Sequence, residues 1–108
     1  MYQYRAKILK VVDGDTVHAA LDLGLDVTIN VTLRLAGINA PEMSTPEGVR
    51  SKEWLVSRLE STDTITGCTI KIKREKYGRY LAYLYIDNET ESLNDQMLKE
   101  SLAVVYPR

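Results

Sequence analysis

The stretch VTINVTLRL, residues 27–35, carries the strongest structural signal in the chain, because apolar and polar residues alternate along its whole length. A period of two is typical of a β-strand with one buried face. Val27, Leu33 and Leu35 belong to the apolar set, whereas Arg34 belongs to the polar set. The pattern therefore predicts a strand, with Arg34 either on the face opposite the leucines or at the mouth of a barrel.

Further strand patterns lie on both sides of this stretch. Residues 4–12 and 16–23 are rich in β-branched and apolar side chains, and the Asp13-Gly14-Asp15 sequence between them is typical of a turn. These two segments predict a β-hairpin. Towards the C-terminus, residues 68–74 alternate in the same way, and residues 79–86 form a fifth candidate strand.

Two helices complete the predicted elements. Ser44 and Glu47 have the spacing of a capping box, which predicts a helix over residues 46–61. Ser92 followed by Asp95 is typical of the N-cap of a second, short helix. Five strands in the order β-β-β-α-β-β-α favour a small barrel over a sandwich, which needs about seven strands. The predicted fold is mainly β with helices (α+β), a five-stranded oligonucleotide-binding (OB-fold) barrel with two helices, in one domain covering residues 1–108.

Composition excludes several classes of protein. The chain has 108 residues, one cysteine and a net charge of -1, so an intrachain disulfide cannot form. It shows no apolar segment long enough to span a membrane and no N-terminal signal pattern, which predicts a cytoplasmic protein by default with no membrane partner. The charge also argues against bulk electrostatic coating of nucleic acid. Contact with a polyanion is therefore expected to be local, and positive charge is concentrated in residues 71–79.

Oxygen-bearing groups are predicted to converge where the hairpin turn meets the loop that follows the third strand. Asp15 leaves the turn, and Asn39 and Ala40 follow the strand. Carboxylates, amide side chains and backbone carbonyls are the ligands that a hard cation such as calcium takes. Asp15, Asn39 and the backbone of Ala40 therefore form a candidate cation site.

Three charged residues complete the candidate site. Arg34 and Arg79 could grip a phosphodiester through their fixed forks of donors and stabilise the charge that develops during attack on phosphorus. Glu42 could orient or deprotonate the attacking water. The same residues also have a structural interpretation, in which Asp13 and Asp15 only form the turn and Arg34 pairs with Glu42. Spacing alone leaves both interpretations open.

Three motifs occur in a fixed order along nearly the whole chain: VVDGDTV at residues 11–17, LRLAGINAPE at 33–42 and KYGRYLAYLY at 76–85. Followed by SLNDQMLKESLAVV at 92–105, they resemble the staphylococcal (micrococcal) nuclease family, the thermonuclease-like domain. The resemblance implies a five-stranded OB-fold barrel and calcium-dependent hydrolysis of DNA and RNA to 3'-phosphorylated products. The implied partners are single-stranded or denatured DNA and RNA, and we expect a monomer.

The resemblance also implies roles for individual residues. Arg34 and Arg79 match the arginines that bind the phosphate and stabilise the transition state, and Glu42 matches the residue that handles the nucleophilic water. Lys76 and Tyr77 fall where the family contacts a terminal phosphate of the bound nucleotide. Tyr106 matches a tyrosine that flanks the base.

The implied metal ligands are the Asp15 and Asn39 side chains and the backbone carbonyl of Ala40. The family usually has aspartate where this chain has Asn39, and threonine where it has Ala40. An asparagine coordinates without contributing charge, so weaker calcium binding is expected. Asp13 and Thr16 are expected to brace the turn through hydrogen bonds.

These implications leave two main functions open. The presence of all four matching charged residues favours an active nuclease, whereas Asn39 favours a catalytically silent barrel that binds nucleic acid or protein. A purely structural accessory domain would leave the basic stretch at residues 71–79 without a ligand. The sequence ends soon after the last predicted helix, where the family continues into a third helix, so a minimal domain is expected.

Overall fold

The structure is a computed structural model that describes residues 2–60, 65–74 and 78–106, of which residues 2 and 65–74 are described by their backbone alone. Lys76 and Tyr77, which the sequence assigns to nucleotide binding, lie outside the described residues. The elements in chain order are β1 (Tyr2–Asp13), β2 (Thr16–Gly24), β3 (Val27–Leu35), β4 (Ile38–Asn39), α1 (Pro46–Glu60), β5 (Ile65–Arg74), β6 (Tyr80–Tyr83), α2 (Leu93–Lys99) and β7 (Val104–Val105).

Five strands form a closed barrel in the order β1-β2-β3-β6-β5. The pairs β1–β2, β2–β3, β5–β6 and β1–β5 are antiparallel, and β3 pairs with β6 in parallel. Two short strands, β4 and β7, pair separately, with Ile38 opposite Val105 and Asn39 opposite Val104. The predicted five-stranded barrel with two helices is confirmed, and the β4–β7 pair was not predicted.

The register between β2 and β3 sets which residues face the core. Val17 pairs with Leu33, and both side chains are fully buried. Thr16 pairs with Arg34 on the opposite face of the same two strands, because side chains alternate along a strand. Arg34 therefore lies on the face opposite the leucines, as one of the two sequence-based alternatives predicted.

Among the residues whose side chains the structure describes, a hydrophobic cluster joins the barrel interior to both helices. Leu33, Leu35 and Ala82 contribute from the barrel, Leu55 from α1 and Met97 from α2, each with almost no exposed surface. Trp54 is half-buried and packs against this cluster. No helix in the described part of the chain is long and apolar enough to cross a membrane.

Buried Asn94 attaches α2 to the barrel. Its Nδ2 donates to the carbonyls of Ala36 (2.8 Å) and Ala82 (3.0 Å), and its Oδ1 accepts from the Leu84 N–H at 3.2 Å. The Leu84 carbonyl accepts from the Leu93 N–H at 2.7 Å. The strand predicted over residues 79–86 therefore ends at Tyr83, because both backbone groups of Leu84 are bound by α2 instead of a neighbouring strand.

The start of α1 differs from the predicted capping box. The helix begins at Pro46, and the Thr45 hydroxyl accepts from the Gly48 N–H at 3.1 Å. Thr45 is therefore the capping residue in place of Ser44. At the other helix the prediction is confirmed, since the Ser92 hydroxyl accepts from the Asp95 N–H at 3.1 Å.

Candidate active site

The turn between β1 and β2 is held by its own polar side chains. Asp13 Oδ1 accepts from the Asp15 N–H at 3.0 Å, and the Thr16 hydroxyl donates to Asp15 Oδ1 at 3.1 Å. Short polar side chains that bond to nearby backbone in this way stabilise tight turns. The bracing predicted for Asp13 and Thr16 is therefore present, and it fixes the orientation of the Asp15 carboxylate.

Gly14 occupies the point where this turn approaches two other segments. A Cβ at Gly14 would lie 2.8 Å from the Cβ of Ala40 and 2.9 Å from the Cβ of Ser51. Positive φ angles occur at Gly24, Gly37 and Gly78 but not at Gly14. Glycine is therefore required at Gly14 by close contact with the loop after β4 and with α1, and not by a left-handed backbone.

The Asp15 carboxylate is buried and shared between two partners. Its side chain is 11% exposed, Oδ2 accepts from the Ala40 N–H at 2.9 Å, and the same oxygen lies 3.4 Å from Arg34 Nη2. Burial raises the pKa of this carboxyl above its ordinary value of 3.8, and the nearby Asp13 side chain also raises it. The Ala40 N–H and the Arg34 charge oppose that rise. The pKa of Asp15 is therefore set by burial and by its contacts with Asp13, Ala40 and Arg34.

Arg34 is fixed by contacts to several segments. Its Nη1 donates to the carbonyls of Leu35 (2.9 Å) and Ile38 (3.0 Å), and its Nη2 donates to Asn39 Oδ1 at 3.1 Å. The Tyr106 ring lies 5.7 Å from the guanidinium carbon, within the range of a cation–π contact. The Arg34 fork is therefore oriented before any ligand arrives.

Arg34 is the centre on which the predicted residues converge. Its Nη2 lies near oxygens of both Asp15 and Asn39 (3.4 and 3.1 Å), so these two oxygens face one position that already holds a positive group. The salt bridge that spacing suggested between Arg34 and Glu42 is not the one observed, since the carboxylate beside Arg34 belongs to Asp15. Long-range packing of the hairpin turn against β3 decides this pairing.

The Glu42 side chain is exposed at the edge of this cluster. Within the described residues, no hydrogen bond or ion pair joins it to Asp15 or Arg34. Its backbone carbonyl accepts from the Thr45 N–H (2.9 Å) and hydroxyl (2.7 Å). A Cβ at Gly48 would lie 1.9 Å from that carbonyl oxygen, so the loop carrying Glu42 rests directly on the first turn of α1.

The C-terminal half of the chain brings the backbone of Arg79 and the ring of Tyr106 towards Arg34. Arg79 is half-buried and immediately precedes β6, where Tyr80 and Leu81 pair with Leu33 and Arg34 of β3. The parallel β3–β6 pair therefore brings the backbone of Arg79 beside the strand that carries Arg34. Tyr106 is held near the site by its N–H, which donates to the Gly37 carbonyl at 2.9 Å.

The oxygen donors suit a hard cation but carry little charge. The Asp15 carboxylate and the Asn39 amide oxygen approach the same atom, Arg34 Nη2, at 3.4 and 3.1 Å, and both are ligand types that a hard cation takes. Ala40 contacts Asp15 through its N–H, so the predicted role of its carbonyl stays a prediction. In the part of the chain that the structure describes, no cluster of three or more His, Cys, Asp or Glu residues could hold a metal. Of the three predicted ligands, Asp15 alone supplies a carboxylate.

Sequence reasoning missed the contacts that assemble this cluster from a distance. Ser51 of α1 donates its hydroxyl to the Leu102 carbonyl at 2.5 Å, which ties α1 to the segment leading to β7. The β4–β7 pair then carries Tyr106 to Arg34. The only sequence signal for β7 is the β-branched pair Val104-Val105, which is too short to predict a strand.

The chain is similar to one known family and to several individual proteins. The sequence profile of the family described as "Staphylococcal nuclease homologue" matches residues 32–108. The chain is 30% identical to an uncharacterised protein of Methanocaldococcus jannaschii over 95% of this chain and 59% of that protein. It is 29% identical to the thermonuclease of Staphylococcus hyicus, over 90% of this chain and 56% of that protein. It is 28% identical to the SPbeta prophage-derived endonuclease YokF of Bacillus subtilis, over 89% of this chain and 32% of that protein. The chain thus spans from 32% to 59% of the length of these curated relatives.

Proposed function

Because the chain belongs to the Staphylococcal nuclease homologue family, we propose that it is a calcium-dependent phosphodiesterase that hydrolyses DNA and RNA to 3'-phosphorylated products. Several relatives are named endonuclease or thermonuclease, which supports nuclease activity at the level of the family. The calcium requirement, the products and the single-stranded or denatured substrates are part of the proposal. We also propose a monomer acting as one domain.

The observation that carries this proposal is the fixed guanidinium of Arg34. Four protein groups orient its two terminal nitrogens, at distances of 2.9 to 3.4 Å. A guanidinium whose position is set before the substrate binds loses little conformational freedom on binding. Its Nη2 must exchange the contacts with Asp15 and Asn39 for a phosphoryl oxygen, on which it then stabilises the developing charge. We assign Arg34 and Arg79 to phosphate binding and to stabilisation of the transition state.

The exposure of the Glu42 side chain suits a general base that acts on the attacking water. A general base must reach a solvent molecule at the reacting phosphorus, and the Glu42 carboxylate is exposed beside the ordered cluster. The contact between its backbone carbonyl and the first turn of α1 limits movement of the loop while leaving the side chain accessible. We assign Glu42 to orienting or deprotonating the attacking water.

Asp15, Asn39 and the Ala40 carbonyl would hold the calcium ion. When bound, calcium would supply Lewis-acid stabilisation of negative charge on the phosphodiester. Arg34 is the cation that these two side chains hold at present, through contacts of 3.4 and 3.1 Å. We therefore propose that Arg34 shifts towards the phosphate when the oxygens of Asp15 and Asn39 take a metal ion. Lys76, Tyr77 and Tyr106 are proposed to contact the nucleotide.

A catalytically silent barrel that binds nucleic acid or protein is the second candidate. It is favoured by one specific feature, the neutral Asn39 at a position where a second carboxylate would strengthen a calcium site. With Arg34 as a permanent partner of Asp15, the cluster would be a stable internal network without a metal.

One experiment separates these two functions. Cleavage of a fluorescent single-stranded DNA is measured with millimolar calcium, with excess chelator, and with the Glu42→Gln variant. Glu53→Gln, a change at an exposed acid on α1, is the matched control. Loss of cleavage in chelator and a loss of at least about 100-fold in Glu42→Gln, with Glu53→Gln unchanged, are the expected results. Folded protein that binds the DNA without cleaving it at any calcium concentration would establish the silent barrel instead.

A further inference from the structure

An open cleft lies on the outer face of the barrel beside the cluster around Arg34. Its volume is about 460 Å³, within the range of small-molecule sites, and its lining includes His18, Asn30, Thr32, Gly78 and Tyr80. A Cβ built at Gly78 would meet no atom within 4 Å, which indicates that this side of the cleft is open. The residues described above for the candidate active site do not line this cleft.

The register of β2 and β3 fixes the position of the cleft. His18 pairs with Thr32 in the row that follows the Thr16–Arg34 pair, on the same outer face of the two strands. Alternate residues of a strand are separated by about 7 Å. That distance is of the same order as the spacing of neighbouring nucleotides in an extended nucleic acid strand. A nucleic acid strand with one phosphate bound at Arg34 would therefore place its next nucleotide at the cleft.

The cleft lies on the opposite side of Arg34 from Tyr106. Thr32 precedes Arg34 along β3, whereas the Tyr106 N–H binds Gly37, beyond the end of that strand. On the β6 side, Gly78 lines the cleft and is followed directly by Arg79. A strand whose phosphate contacts Arg34 and Arg79 would therefore have separate contacts on each side of that phosphate.

The side chains of the cleft suit a nucleobase. His18 Nδ1 and the Thr32 hydroxyl oxygen are 2.9 Å apart, a contact that orients the imidazole ring. Imidazole, hydroxyl and the Asn30 amide supply both donors and acceptors for a base edge. Tyr80, which is half-buried and packs against the hydrophobic core, also lines the cleft, and tyrosine is one of the aromatic residues on which bases stack in single-strand sites. The described lining contains no carboxylate that would repel a polyanion.

We propose that this cleft binds one base of the nucleic acid strand, at a position next to the phosphate held by Arg34 and Arg79. The inference rests on the proposed nuclease function and adds a base-binding subsite to it. Binding of the base there would fix the strand along β3 and raise the efficiency of cleavage of oligonucleotides over that of shorter fragments.

The test uses single-stranded oligonucleotides with one cleavable phosphodiester, the other linkages being phosphorothioate. In each member of the set, a stable abasic analogue replaces the base at one position. The kcat/KM of cleavage with calcium is measured for the wild type and for His18→Ala and Asn30→Ala. Thr28→Ala is the matched control, because Thr28 lies on the same face of β3 outside the cleft.

For the wild type, we expect removal of one base, at a fixed distance from the cleavable bond, to lower kcat/KM by about tenfold, the magnitude of one stacked base. His18→Ala and Asn30→Ala should lower kcat/KM on the intact oligonucleotide, and base removal at that position should cause little further loss. Thr28→Ala should retain the wild-type profile. An equal dependence on the base in wild type and both cleft variants, or no dependence at any position, would overturn the subsite while the nuclease function stands. Absence of wild-type cleavage of the intact oligonucleotide would overturn both.

Discussion

Asp15 and Arg34 form an ion pair between the β1–β2 turn and β3, with 3.4 Å between Oδ2 and Nη2 and 11% of each side chain exposed. Arg34 also donates to Asn39, so one guanidinium holds together two oxygens that we assign to a calcium site. The same residue is proposed to bind the substrate phosphate. Stability, metal binding and catalysis are therefore expected to respond together to changes at Arg34.

Replacement of Arg34 tests this relationship directly. Arg34→Ala leaves the Asp15 carboxylate buried without its cation, which should lower the free energy of unfolding by about 3–5 kcal/mol. Cleavage should fall by at least about 100-fold. Arg34→Lys keeps the charge but loses the fork, so stability should recover more than activity does. Urea unfolding and cleavage kinetics supply the two measurements. An alanine variant as stable as the wild type would show that the pair contributes little.

Asn39→Asp should strengthen the cation site. A second carboxylate adds a unit negative charge to the ligands of the metal. At about 4 Å two unit charges attract each other by about 4 kcal/mol at an effective dielectric constant of about 20, and the attraction is about twice as large for a divalent ion. We expect the calcium concentration for half-maximal cleavage to fall by at least about tenfold, with tighter binding in a calcium titration followed by calorimetry. Asn39→Ala, the control, should weaken both. Calcium affinities that are the same in all three proteins would place the metal elsewhere.

Gly14→Ala should disturb the site through packing. The added Cβ would lie 2.8 Å from Ala40, which must move away and weaken its hydrogen bond to Asp15. Overpacking of this kind costs about 1–3 kcal/mol. Thermal unfolding and the calcium dependence of cleavage should therefore both change. Gly24→Ala is an informative control, because φ there is +86° with no atom near the new Cβ, so stability alone should fall. A change in calcium dependence of equal size in both variants would contradict the local mechanism.

Glu89 should make stability sensitive to acid. Hydrogen bonds from Gln96 and from Arg58 lower the pKa of its carboxyl below the ordinary value of 4.5. Because the folded state holds the ionised form, the stabilisation is present above pH 4.5 and is lost as the pH falls through the lowered pKa. Glu89→Gln should therefore cost up to about 1 kcal/mol at neutral pH and almost nothing in strong acid. Urea unfolding across that range, with Glu53→Gln as reference, measures the difference. A constant difference at all pH values would exclude this linkage.

Local patterns predicted most of the fold. The alternation of residues 27–35 predicted the strand β3, because a period of two separates a buried face from its opposite. It left two positions open for Arg34, and the register shows the one on the face opposite the leucines. The helix α1 was predicted to within one residue at its C-terminal end, whereas its cap was placed at Ser44 instead of Thr45. Neighbouring hydroxyl residues compete for a cap, and the path of the loop over the helix selects between them.

Tertiary structure decided the end of β6 and the partners of Arg34. Nothing in residues 84–86 indicates that Asn94, ten positions after Leu84, takes the Leu84 N–H from the strand ladder. Spacing in the sequence suggested Glu42 as the partner of Arg34, because both lie near the end of the third strand and in the loop that follows it. The Thr16–Arg34 pairing places Asp15 beside the guanidinium.

The amino-acid sequence by itself thus determined the positions of the five barrel strands and the two helices and the set of polar residues that could form a site, since each depends on neighbours a few positions apart. The tertiary structure decided which of those polar groups meet. Parallel pairing of β3 with β6 and the short β4–β7 pair bring Arg79 and Tyr106 towards Arg34. Such contacts join residues far apart in the chain, and their energy depends on distances that exist only after the barrel has closed.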